Sequence, residues 1–362
     1  MRRYQQPGVS VVAPSRPIER GLPIPSLLAQ VIGAKYADLC PLTARDMPPM
    51  RRAFIAFAIA GLLALFLMVE VSADTAWLAT ALNASHGLIF AVVAVLLLAL
   101  LGQRAGWLPY LAAIVGAIAL GVLIEFLQSY QGRPPSLHDV LTDFAGAAAG
   151  LALWGLVRRR RRSSSKAIDL GVTSLLIAVA LAGVAFIVWP PLQAARAYAH
   201  RAAVFPDIAR FQVPTDLYFI ETEGVGAKLV PLASPWRRDP DDRALRITYD
   251  NEHAPAVQVT EPSPDWRGYT AVVVDITNPA THALQVTFRI HDANHDWTHE
   301  DRFNKPLSIP PQTRAVVRVP LSAIEAAPER RAMDLSRIAN VMLFGRVAPG
   351  SGELYVSRIW LE

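Results

Sequence analysis

Five apolar stretches before residue 190 constrain this chain more than anything else in it. Each is long enough, or nearly so, to cross a hydrocarbon core of about 30 Å at about 1.5 Å per helical residue. They run from Ala53 to about Val71, from Ala84 to Leu101, from Trp107 to about Leu127, from Leu137 to Val157, and from Leu170 to Trp189, just ahead of Pro190 and Pro191. Lipid offers no partner to a peptide group, so all five are expected as transmembrane helices. The composition agrees: 52% of the 362 residues are hydrophobic, 18% are charged and the mean hydropathy is +0.29. A wholly soluble chain and extended disorder are both excluded. A single cysteine, Cys40, rules out an internal disulfide and a cysteine-based zinc site.

Orientation follows from the basic residues. Residues 1–52 hold eight Lys or Arg, the link at Arg104 one, and residues 158–166 six, against Arg133 alone in the alternate links. That bias places the N-terminus in the cytoplasm and everything after the fifth span outside a bacterial-type inner (plasma) membrane. The run Arg158–Arg162 sits between two spans, so it reads as a cytoplasmic loop and no nucleic-acid partner is expected. Met50-Arg51-Arg52 repeats the Met1-Arg2-Arg3 opening and would also suit the start of a membrane protein.

From about His200 the character changes. Pro190 to Glu362 carries 19 basic and 21 acidic residues, and short alternating runs recur at Ala244–Tyr249, Ala256–Thr260, Thr270–Ile276, Leu284–Ile290, Arg314–Val319, Val341–Phe344 and Leu354–Trp360. Turn residues such as Asn278-Pro279 and Pro349-Gly350 separate them, which predicts an antiparallel β-sandwich of the jelly-roll kind. Trp236, Trp266 and Trp360 are expected in its core. The expected order is a disordered cytoplasmic tail, 1–52; a four-helix membrane domain, 53–157; a basic cytoplasmic loop, 158–167; a fifth transmembrane helix, 168–189; a juxtamembrane helix or linker, 190–210; and an extracytoplasmic β-sandwich, 211–362.

Ionisable residues within apolar spans are costly, and each asks for a partner or a task. Glu125 and Gln128 share a face near the outer end of the third span, and Arg133 follows. Asp139, Asp143, Gly146 and Gly150, spaced 4, 3 and 4 apart, share one face of the fourth, whose glycines admit a neighbouring helix. His86 begins the second span. Topology therefore brings His86, Glu125, Gln128, Arg133, Ser136, Asp139 and Asp143 toward the outer side of the membrane. Ser136 with Asp139 three later reads as a helix cap, and Glu125 with Arg133 as a fastening ion pair. The functional alternative has Arg133 clamping an anion while Glu125 or Asp139 exchanges protons with His86.

The order Glu125-x-x-Gln128, Gly132-Arg133, Ser136, Asp139-Val140, Asp143, Gly146 and Gly150, with His86 upstream, resembles the signature of the VanZ-like membrane family over about residues 50–157. Asp143 stands where that family usually has Asn, and Asn83 where a Lys often precedes the His, so Asp139 and Asp143 here form a pair able to share a proton. The resemblance implies work on the cell envelope, with a link to glycopeptide resistance or polysaccharide export, and supplies no reaction.

The β-rich part is similar to galactose-binding-like jelly rolls and carbohydrate-binding modules, through Pro264-Asp265-Trp266-Arg267-Gly268-Tyr269, His291-Asp292, Glu300–Asn304 and the closing Leu354–Leu361. An aromatic platform beside planar polar groups suits a sugar, which selects Asp292, Asn294, Trp297 and Arg302 as ligand contacts. A solvated loop in which Asp292 pairs with Arg302 is the competing account. No metal site is assigned, since His291, His295 and His299 lack a familiar zinc spacing, and no cofactor is expected. The leading expectation is an envelope protein, not clearly an enzyme, whose partners are the bilayer and a glycan, glycolipid or glycopeptide. The alternatives are a membrane enzyme acting on a lipid-linked phosphate or sugar, with Glu125, Asp139 and His86 as acid and base, and a structural anchor presenting a β-module to a protein.

Overall fold

A computed structural model describes residues 48–68, 75–102, 106–130, 135–161, 166–222, 226–249, 256–345 and 352–362. Five helices come first: α1 Pro49–Met68, α2 Ala76–Leu101, α3 Leu108–Ser129, α4 Leu137–Arg161 and α5 Lys166–Val204. Among the described residues four helices are long and apolar enough to cross a membrane, 76–101, 108–129, 137–160 and 170–204. This corrects the expected five. The first stretch does form a helix, α1, but it is not among the four, and the expected end at Val71 lies outside the described residues, as does the tail before Pro48.

Three boundaries also move. Helix α2 begins at Ala76 instead of Ala84, because Thr75 caps it: its Oγ1 accepts the Leu78 N–H at 3.2 Å. Arg158 to Arg161, expected in a loop, extend α4, as suits a residue with high helix propensity. The expected break after Trp189 is absent, and α5 continues through Pro190 and Pro191 to Val204. Two prolines remove two N–H donors, but the following turns are held against the β-module, where Arg201 donates to the Thr260 carbonyl at 3.1 Å.

Small residues set how closely the helices approach. A Cβ at Gly146 would lie 1.9 Å from the Gly87 carbonyl oxygen, so α4 packs on α2 almost backbone to backbone. Phe90, Ala94, Leu98, Ala113, Ala117, Ile124, Ala147 and Leu151 fill the space between α2, α3 and α4.

The remaining chain forms two antiparallel sheets. One has the order β3 (Gly226–Pro231), β4 (Arg243–Tyr249), β11 (Gly352–Leu361), β6 (Ala271–Asn278), β9 (Thr313–Pro320), with β1 (Asp207–Ala209) also on β11. The other runs β2 (Ile220–Glu221), β5 (Ala256–Thr260), β10 (Ile338–Gly345), β7 (Leu284–Asp292), β8 (Phe303–Ile309). All seven expected strands are present. Strands β1, β2, β3 and β8 were not foreseen; the first two are two or three residues long, too short for alternation to show. The sheets face each other across a core that includes Leu245, Ile247, Trp266, Val274, Phe288, Ile290 and Val356. Of the three tryptophans expected there only Trp266 is fully buried; Trp236 and Trp360 are partly exposed, the latter beneath the Arg358 guanidinium.

Candidate functional site

Strand β7 shows how the module builds a face. Leu284, Val286, Phe288 and Ile290 point into the core, so Gln285, Thr287, Arg289 and His291 point outward. Register then places Asn304 of β8 opposite Arg289 on one side, and Met342 and Asn340 of β10 opposite Arg289 and His291 on the other. Gln258 of β5 lies beyond Met342, and Glu221 of β2 beyond Gln258. The outer face of the five-stranded sheet is therefore a polar band. The Gln258 amide donates to Glu221, and Asn340 Nδ2 donates to Gln258 Oε1 at 3.2 Å.

Trp297 stands at the β7–β8 end of this band, 80% exposed, its ring 5.5 Å from that of His295 and 6.0 Å from that of His291. Its backbone is left-handed at φ 68°, a conformation that costs a bulky L-residue about 1 kcal/mol or more. His295 is locked beneath it. The Arg289 Nη2 donates to His295 Nε2 at 3.2 Å, which leaves Nδ1 to carry the proton and donate to the Asp301 carbonyl at 2.9 Å. Burial, with His295 and Arg289 adding, pushes the His291 imidazole down to about 4, so it is neutral near pH 7.

Several polar atoms on this face are buried without a hydrogen-bond partner among the described residues: Arg289 Nε, His291 Nδ1, Arg302 Nε and Asn340 Oδ1. Such atoms also occur on and beside the six-stranded sheet, at Trp236, Arg243, Arg246, Tyr249, Thr277 and Ser357; here they lie with an exposed aromatic, a combination suited to an incoming polar molecule or ordered water.

The four ligand contacts expected from sequence separate. Trp297 and Arg302 belong to this band. Asp292 does not: its neighbour His291 points outward, so the strand's alternation turns Asp292 inward. There Arg331 donates to it at 2.5 and 2.7 Å and the Asp334 amide at 2.7 Å. Burial favours its neutral form, but these hydrogen bonds outweigh it and hold the carboxyl below its usual range. The expected Asp292–Arg302 pair is thus replaced by Asp292–Arg331. Asn294 is exposed beside Arg337, 3.5 Å from its Nη1, and takes no part in the band. Arg289, Asn304, Asn340 and Gln258 were missed. The alternation within β7 and β5 was the signal that would have found the first and last of them.

His295, Asp296 and Asp301 offer ligand atoms within 4.8 Å of one another. The Asp301 carboxylate is already taken by Arg331, at 2.6 and 2.9 Å, and this hydrogen bonding draws it down to about 2. A cation there would face a guanidinium, and the trio reads as part of the loop's own fastening.

In the helical half, Ser136 Oγ accepts the Asp139 N–H at 3.2 Å, the expected cap, and the Ser136 N–H itself donates to Glu125 Oε2 at 2.6 Å. His86 Nδ1 lies 3.7 Å from Asp143 Oδ1, and Glu125, Gln128 and Asp143 are all buried. A Cβ at Gly121 would meet Asp143 Oδ2 at 2.7 Å, so that glycine makes room for the carboxylate. His86 sits ten residues into α2, deeper than its expected place at the helix start. Arg133, and with it the expected Glu125–Arg133 pair, lies outside the described residues. A cavity of about 230 Å³ opens between α2, α4 and α5, lined by Asn83, His138, Thr142 and Phe186 among others.

No family model matches the chain, so the VanZ-like resemblance finds no support there. No curated protein matches it either. Among solved structures, the β-module resembles a family 11 carbohydrate-binding module from Clostridium thermocellum, solved with a β-1,3-1,4-mixed-linked tetrasaccharide, at 14% identity and a TM-score of 0.30 over 40% of this chain and 88% of that one. It also resembles a module specific for non-crystalline cellulose, CBM28, at 12% identity and 0.30 over 44% of this chain and 93% of that one. An exo-β-agarase matches at 16% and 0.33 over 43% of this chain and 24% of its own length.

Proposed function

We propose that this is an integral protein of a bacterial-type plasma membrane, with the basic links at Arg104 and Arg158–Arg162 cytoplasmic, whose outer β-module binds a glycan, glycolipid or glycopeptide of the envelope. The observation that carries the reading is the band on the five-stranded sheet: an exposed, conformationally strained Trp297 beside four buried polar atoms without partners. Sugar rings present an apolar face to an aromatic and hydroxyls to planar polar groups, and this band offers both. The positive-inside bias and the four apolar helices support the membrane setting.

The test is direct binding of the full-length protein in nanodiscs to a panel of envelope polysaccharides and peptidoglycan fragments, read by quenching of Trp fluorescence and by calorimetry. Saturable binding that Trp297→Ala abolishes supports the reading. A folded protein that binds nothing on the panel returns the module to a spacer or docking role.

A second reading rests on the helical half. Three carboxylates, Glu125, Asp139 and Asp143, lie with His86 among apolar helices, an arrangement suited to acid–base work on a lipid-linked phosphate or sugar. Glu125→Gln keeps an acceptor for the Ser136 amide while removing the acid. Under this reading it abolishes turnover of a lipid-linked substrate and spares folded yield; under a structural role, turnover survives.

A further inference from the structure

We propose that the ligand of the sheet face is an anionic glycan, one that carries carboxylate or phosphate groups, gripped by Arg289 and Arg302. This deepens the glycan reading and rests on it. The charges on the band are lopsided. Arg289 and Arg302 gather around β7 and β8, and among the described residues neither has a carboxylate in ion-pair contact. Glu221 is at the opposite edge of the sheet, bonded to Gln258. Asp296 is turned to Thr298, and Asp301 to Arg331.

Elsewhere the module neutralises several of its arginines with two carboxylates or one. Arg314 contacts both Asp242 and Asp275, Arg331 both Asp292 and Asp301, and Arg358 Asp207. Among the described residues Arg289 and Arg302 lack such a partner, as Arg243 of β4 also does, and the first two are placed side by side. Burial disfavours the charge on Arg289 and the nearby Arg302 disfavours it further, so an anion between them would relieve both penalties. Each also keeps an Nε–H shielded from solvent with nothing to donate to. A guanidinium presents Nε–H and Nη–H as a fork that matches two oxygens of a carboxylate or phosphate. Neutral His291 and Asn304 flank the pair and suit hydroxyls, while Trp297 supplies the ring platform.

The experiment uses the full chain in nanodiscs of zwitterionic lipid and one sugar backbone in two charge states: an oligogalacturonate and its fully methyl-esterified form, with a glycerol-phosphate polymer as a third probe. We expect the acidic oligosaccharide or the phosphate polymer to bind at least about ten times more tightly than the neutral ester, and whichever of the two binds identifies the anion. The preference should shrink as salt rises from about 50 mM to about 500 mM and vanish in Arg289→Gln/Arg302→Gln. Equal binding of ester and acid, both lost in Trp297→Ala, overturns the anionic assignment and leaves the glycan reading standing. A preference for acid that survives the double substitution also overturns it, by locating the attraction elsewhere. Binding of none of the probes, together with no binding across the wider panel, sinks the glycan reading itself. Should the double variant fail to fold, the acid-to-ester ratio and its salt dependence in the unaltered protein still decide the question.

Discussion

The Glu261 carboxylate of the β-module accepts the backbone N–H of Ala76, the first residue of α2, at 2.6 Å. Its other oxygen takes the Tyr198 hydroxyl of α5. One side chain thus caps one apolar helix, binds a second and belongs to neither. Glu261 holds a left-handed backbone at φ 47°, which a non-glycine residue adopts at a cost. Around it a cavity of about 580 Å³ separates the halves, lined by Arg201, Ser263, Ser336 and Arg337 among others.

Glu261→Ala should therefore loosen the junction while sparing each half. The loss of a charged cap and a second hydrogen bond is about 1–3 kcal/mol. Hydrogen exchange should accelerate at the amides of Ala76, Trp77 and Leu78 and stay unchanged at β6. Unchanged exchange at Ala76 would show that the cap is dispensable.

Acid should weaken the module in two stages. His291 is lowered to about 4 when folded, so the unfolded chain takes up its proton first as pH falls below about 6.5, and stability declines from there toward pH 4. Asp301, drawn to about 2, and Asp292, also lowered, contribute stability that is complete above the usual carboxylate range and is lost as pH falls through their folded values. Thermal melts from pH 8 to pH 3 should show both limbs, and His291→Phe should erase only the upper one.

Arg331→Met strips a partner from two carboxylates at once, one of them fully buried. An uncompensated buried charge costs about 3–5 kcal/mol, so the module should melt well below the unaltered protein. Arg331→Met/Asp292→Asn should recover part of that loss, because the buried group is then neutral. Calorimetry of the two variants checks the order.

Gly146→Leu should separate α4 from α2, since even a Cβ would overlap the Gly87 carbonyl. Overpacking of this kind costs about 1–3 kcal/mol where side chains can yield, and more against backbone. The expected result is a sharp drop in monodisperse yield after detergent extraction. Gly61→Leu, where nothing lies within 4 Å, is the matched control.

Much of the helical half was legible because its signal is local. Apolar length marks a helix without any knowledge of its neighbours, and the 4, 3, 4 spacing of Asp139, Asp143, Gly146 and Gly150 put a polar group and two small residues on one face. The cap of Ser136 on Asp139 lies within four residues and was read correctly. What the spacing did not reveal was the partner, Gly87 of α2 against Gly146 or Gly121 of α3 against Asp143, because those contacts join residues tens of positions apart.

In the β-module the sequence determined seven of the eleven described strands, because alternation of apolar and polar residues is a property of each strand alone; β1, β2, β3 and β8 emerged only in the structure. The sequence also determined that an exposed aromatic would stand in a polar loop, at Trp297. Only the tertiary structure decided who stands beside it. Strand order and register brought Asn340 and Gln258 across from β10 and β5, and pairing with Arg331 withdrew Asp292 from the surface. Adjacent residues on a strand face opposite ways, so nearness in sequence misled at His291 and Asp292, while residues 50 positions apart share a face because hydrogen-bonded strands lie side by side.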